Sequence, residues 1–82
     1  MPVVYRIGCL RVVIWPNDRR PAHVHVIGPS GEAVFILNCP EGLPELRESF
    51  GFRLREANEI AEALKGAIPA LCDEWSKVHG SY

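Results

Sequence analysis

The chain lacks any apolar run approaching the roughly 18 residues that a membrane-spanning helix requires. Its start, Met1-Pro2-Val3-Val4-Tyr5-Arg6, has no basic-then-apolar layout of a signal peptide, so a cytoplasmic protein that does not enter a membrane is expected. A basic excess is absent too. The formal net charge is -1, and no Lys/Arg stripe of the kind that tracks a nucleic-acid backbone is visible. The three cysteines, Cys9, Cys39 and Cys72, form no C-x-x-C pair; their odd number suits reduced core thiols better than a disulfide frame or a zinc knuckle. Ser30 and Ser49 lie in no G-x-S-x-G setting, Gly28 to Gly31 is too short for a phosphate-cradling loop, and no paired carboxylates flank an evident cleft.

What is present is enough for one domain. Eighty-two residues supply a single core and no second one, and 48% hydrophobic with 23% charged residues is a globular composition. The charge is uneven: residues 1–40 carry +2 and residues 41–82 carry -3. In the first half, apolar and polar residues alternate with the period of half-buried strands. Turn chemistry at Gly8, Pro16–Pro21, Gly28–Gly31 and Cys39–Gly42 divides this half into four strands, about 3–7, 10–15, 22–27 and 32–37. Short connections imply antiparallel hairpins. The register puts Leu10, Val12, Ile14, Ala22, Val24, Val26, Ala33, Phe35 and Leu37 on one wholly apolar face. Arg11, Val13, Trp15, His23, His25, Ile27, Glu32, Val34 and Ile36 fall on the other, a mixed face with enough apolar area to want a cover of its own.

From Leu54 the period changes. Leu54, Ala57, Ala61, Leu64, Ile68, Leu71, Trp75 and Val78 follow three- and four-residue steps, the seam of a C-terminal helix over about 53–78 packed on the apolar face. Pro69 interrupts it, so a kink or a break near Gly66 is expected. A continuous helix of this length would be about 38 Å long against about 20 Å for a strand. Either the last turns fold back, or Leu71, Trp75 and Val78 overhang and form an interface with a second copy, giving a homodimer. The fold class is therefore α+β, a four-stranded antiparallel sheet with one long kinked or broken helix.

His23-Val24-His25 is the most pointed chemical feature. Two imidazoles at i and i+2 on a strand lie about 7 Å apart on one face, suited to general acid–base work or to a divalent transition metal. A metal would need further ligands, and Asp18 and His79 are the available ones. The bland alternative is a pair of polar residues hydrogen-bonded on the mixed face, with no cofactor. Arg11, Arg19 and Arg20 with Trp15 could hold a phosphate and stack a base, which extends the ligand- or nucleic-acid-binding set to Arg11, Trp15, Arg19, Arg20, His23 and His25. The string Pro21–Ile27 also looks like a truncated histidine-triad nucleotide hydrolase motif, but Ile27 stands where the third histidine belongs, and that chemistry is set aside.

Met-Pro at the start, Asp18 leading through Pro21 to His23-Val24-His25-Val26, Gly31-Glu32-Ala33, Gly51-Phe52 and Leu71 with Trp75 form a familiar order. The layout resembles, over nearly the whole chain, a family of small bacterial proteins of unknown function with an Asp-His-x-Pro-Pro-His-Phe-His-Val signature and a C-terminal tryptophan helix. The resemblance implies a setting beside another small protein in toxin–antitoxin-like gene pairs; it implies no activity. Arg19 stands at the signature's first histidine and Ala22 at its second proline, which removes a third imidazole. Arg53 stands where relatives often have a serine able to cap the helix with Glu56.

Two functions follow as expectations. The first is a non-enzymatic interaction module of a two-gene regulatory system, self-associating, binding a small protein encoded nearby and also able to bind nucleic acid. Its basis is two apolar sheet faces, an overhanging helix seam and the lack of a complete catalytic group. The second is a toxin-type hydrolase or nuclease acting at His23 and His25, with Asp18 orienting an imidazole and Arg20 holding phosphate.

Overall fold

The computed structural model describes residues 3–82. Five strands form one antiparallel sheet in sequence order: β1 Val3–Ile7, β2 Leu10–Val13, β3 His23–Ile27, β4 Glu32–Ile36 and β5 Glu45–Phe50. Two helices follow, α1 Leu54–Lys65 and α2 Ile68–His79. The α+β class and the hairpin order match the sequence pattern, and the first four strands fall within two residues of their expected bounds. The fifth strand was not expected, and the one long helix expected to kink or break near Gly66 is two separate helices.

Strand alternation predicted the core. Val12, Ile14, Ala22, Val24, Val26, Ala33, Phe35 and Leu37 are all buried in one cluster with Ile60, Leu64, Ala67, Ile68, Leu71, Cys72 and Trp75 from the helical half. Leu10 packs partly buried against it. Cross-strand pairs confirm the faces: Val24 opposes Phe35 and Val26 opposes Ala33, while His23 opposes Ile36 and His25 lies between Val13 and Val34.

The expected long helix is two helices of 12 residues each. The Ala67 amide bonds the Leu64 carbonyl at 2.9 Å, closing the first helix with a tight turn. Pro69 then falls in the first turn of α2, where a missing N–H interrupts nothing and the fixed φ suits the helix. Each helix is about 18 Å long, close to the length of a strand. The overhang therefore disappears. Leu71 and Trp75, expected at an interface with a second copy, are buried in the chain's own core, and of that set Val78 alone is exposed.

A second correction concerns the thiols. Cys39 and Cys72 form a disulfide with their Cα atoms 5.7 Å apart, tying the segment after β4 to α2; Cys9, in the β1–β2 turn, is free and exposed. Such a bond closes a loop of 33 residues, which in the chain-entropy description stabilises the fold by about 4 kcal/mol.

At the other end of the sheet, the β3–β4 turn and the β5–α1 turn touch backbone to backbone. A Cβ on Gly51 would collide with the Ser30 carbonyl, and Gly51 sits at φ +80, so glycine is required there on both counts.

Candidate functional site

The β2–β3 loop brings the site together. Its turn is locked twice at one residue: the Asp18 N–H donates to the Trp15 carbonyl at 3.0 Å, and the Trp15 N–H donates to Asp18 Oδ2 at 3.0 Å. An aspartate bonding the backbone in this way is ordinary turn chemistry. It leaves Oδ1 free, and Oδ1 faces the two histidines. His25 Nε2 stands 3.3 Å from Asp18 Oδ1 and His23 Nε2 stands 3.6 Å from it.

The outer ring nitrogens point elsewhere. His23 Nδ1 donates to the Pro21 carbonyl at 2.9 Å. His25 Nδ1 lies 3.4 Å from Glu32 Oε2, within ion-pair distance, yet it is buried without an aligned hydrogen bond. Glu32 reaches it because Glu32 opposes Ile27, one step along the same face of the neighbouring strand.

The imidazoles are held by rings as well as by oxygens. His23 is 6% exposed and packs against His25 with centroids 5.3 Å apart and against Trp75 at 5.2 Å. Trp75 in turn stacks on His79 at 4.0 Å and donates its indole N–H to the Ser81 carbonyl at 2.9 Å. This ladder fastens the end of α2 to the start of β3. Its cause is the 3.6-residue repeat, which puts Trp75 and His79 one turn apart on the same side of α2.

Of the residues singled out from the sequence, Asp18, His23 and His25 converge, with one ligand atom from each lying within 4.8 Å of the other two. His79 does not join them: its Nε2 donates to the Trp15 carbonyl at 3.2 Å. Arg19 and Arg20 are exposed and line a cleft with Asp18 and His79. Arg20 Nη1 touches Ser81 Oγ at 3.4 Å. Trp15 contributes through its backbone, and Arg11 lies on the same face, opposite Ile27 on β3. Glu32 and Trp75 complete the surroundings of the site. Glu32 gave no signal as a neighbour of His25 beyond its place on the mixed face, and Trp75 read as helix seam.

The mixed face is less open than alternation suggests. Val13 and Val34 are buried, and Ile27 and Ile36 are half-buried. Exposed apolar side chains concentrate instead in and beside β5: Leu43, Leu46, Phe50 and Leu54. Away from the site, charges pair on the helix surface, where the Glu74 hydrogen bond and the nearby Asp73 carboxylate raise the Lys77 pKa above its ordinary value.

No helix among the described residues is long and apolar enough to cross a membrane. No protein family, curated protein or solved structure matches the chain.

Proposed function

We propose that the chain is a small hydrolase of phosphate esters, of the toxin-type nuclease class, acting at Asp18, His23 and His25. The observation that carries it is the convergence of both imidazoles on the one free oxygen of Asp18, beside a cleft lined by Arg19 and Arg20. Imidazole and carboxylate together activate water, and guanidinium groups hold phosphate oxygens through charge-assisted bonds. His25 is the more accessible imidazole, with 17% of its side chain exposed against 7% for His23, so His25 faces the substrate and His23 backs the site. The reaction is attack of water on phosphorus with cleavage of a P–O bond. In the two-gene setting that the resemblance implies, such an enzyme is the toxic member of the pair.

The test is cleavage of labelled single-stranded RNA and DNA by purified protein, with and without added divalent ions. Cleavage lost in His25→Ala and weakened by a higher KM in Arg20→Ala supports the reading. Equal cleavage by His25→Ala overturns it, as does no cleavage by wild type at stoichiometric enzyme.

The non-enzymatic interaction module is supported by a different observation, the edge strand β5. Phe50 opposes Glu32 and Leu46 opposes Phe35, so the two exposed apolar side chains flank the free edge on opposite faces. A strand from a small partner protein laid beside β5 would cover both and pair its open backbone groups. A β5 edge reading predicts that Phe50→Lys abolishes co-purification with the neighbouring gene product while leaving cleavage intact. With Leu71 and Trp75 buried, these two seam residues offer no surface to a second copy.

A further inference from the structure

We infer that Asp18, His23 and His25 form the seat of one divalent first-row transition-metal ion, with Nε2 of both histidines and Oδ1 of the aspartate as ligands. The inference deepens the hydrolase reading, since it names the cofactor of the same cluster, but it stands on the ring nitrogens alone.

All four ring nitrogens of the two histidines face oxygen atoms. His23 Nδ1 faces the Pro21 carbonyl, His25 Nδ1 faces Glu32, and both Nε2 atoms face Asp18 Oδ1. A carbonyl or a carboxylate oxygen only accepts, and a neutral imidazole carries a single N–H. Two neutral rings therefore supply two hydrogens for four acceptor-facing nitrogens. The His23 hydrogen is fixed on Nδ1 by the 2.9 Å bond to Pro21, which points the His23 Nε2 lone pair at a carboxylate oxygen. Lone pair against anionic oxygen in a corner this buried is repulsive unless a proton or a metal ion lies between them.

A cation at the Nε2–Nε2–Oδ1 corner answers the three inner positions at once. It takes both Nε2 lone pairs and Oδ1, and it leaves both Nδ1–H groups turned outward, that of His23 donating to the Pro21 carbonyl and that of His25 lying 3.4 Å from Glu32 without an aligned bond. That outer pattern is how metal-bound histidines are ordinarily oriented. The spacing agrees. Ligand atoms about 2.1 Å from a tetrahedral ion stand about 3.4 Å from one another, and the two nitrogen-to-oxygen edges here are 3.3 and 3.6 Å. The 3.3 Å edge is a long hydrogen bond of His25 and the 3.6 Å edge lies beyond one, and both lengths suit ligands around an ion. Two imidazoles and one carboxylate favour zinc, iron, cobalt or nickel over magnesium or calcium, and three protein ligands leave a position for water or a substrate oxygen.

The test is isothermal titration of the Cys9→Ser protein, disulfide intact, with zinc, cobalt and nickel chlorides, followed by native mass spectrometry. Removing the exposed Cys9 thiol excludes a trivial ligand. One ion per chain is expected, with at least a hundredfold loss of affinity in His25→Ala and in Asp18→Asn. Far-UV circular dichroism checks that these variants fold. Glu32→Gln, a surface change beside the cluster, should fold in any case and lower affinity by about 10- to 100-fold through the His25 Nδ1 partner. No binding by the Cys9→Ser protein, or binding undiminished by His25→Ala and Glu32→Gln, would overturn the inference. Cleavage by a protein that binds no metal would overturn the metal and keep the hydrolase; stoichiometric metal without cleavage would keep the metal and remove the hydrolase.

Discussion

The helix-bearing face of the sheet and the histidine face come from the same strands, one residue apart, and they are held by different forces. On the first, Val24, Val26, Phe35 and Leu37 lie in one buried cluster with side chains of α1 and α2, and burial together with the Cys39–Cys72 disulfide places the helices. On the second, His23 and His25 are held in place by Asp18, Glu32 and the Pro21 carbonyl, and their mutual orientation follows from which oxygen each nitrogen meets. Apolar packing stabilises and tolerates exchange among similar volumes; the polar corner stabilises little and is intolerant in its chemistry. A small chain thus separates the part that keeps it folded from the part on which the proposed chemistry rests.

Trp75 serves both faces, buried in the core and packed against His23, so its removal is the strongest way to break the contrast. Trp75→Ala should cost about 5 kcal/mol, from the lost core volume and the lost bond to Ser81, and it should release His23 and His79 together. Urea denaturation measures the first effect, and histidine ring NMR shifts measure the second. A stability loss without any change at His23 would show that the ring ladder is incidental.

Removing the disulfide acts on the helix-bearing side alone. Cys39→Ala with Cys72→Ala, or reduction of the native protein, should lower stability by about 4 kcal/mol and leave metal affinity unchanged for the fraction that is folded. A parallel loss of affinity would mean that the two faces are coupled through α2.

The smallest effect is expected on the other side. His25→Ala should change stability by less than about 1 kcal/mol, since the side chain packs at the margin of the core and is partly exposed, while abolishing metal binding and cleavage. A large destabilisation by this substitution would mark the cluster as structural and undo the separation.

The first four strands could be read from the sequence because alternation is imposed by burial of one face. β5 could not. Glu45-Leu46-Arg47-Glu48-Ser49-Phe50 is an edge strand, almost wholly exposed, with a register irregularity opposite Val34 and Phe35, so nothing forces a period on its side chains. The helix seam was legible, yet its division was not fixed by the seam, since the same face continues inward on both sides of Ala67. Asp18 was legible only as a name among candidate ligands: its distances of five and seven residues from the histidines fit no metal motif, and the Trp15 turn is what aims Oδ1 at them.

By itself the sequence determined an α+β domain, an apolar sheet face and two imidazoles side by side, because strand and helix periods record local geometry directly. Tertiary structure alone decided that α2 buries its seam in the chain's own core, that Cys39 meets Cys72, and that Asp18 and Glu32 close around the histidines. Each of these joins residues whose separation along the chain has no period, and only the packing of the whole chain sets the distance between them.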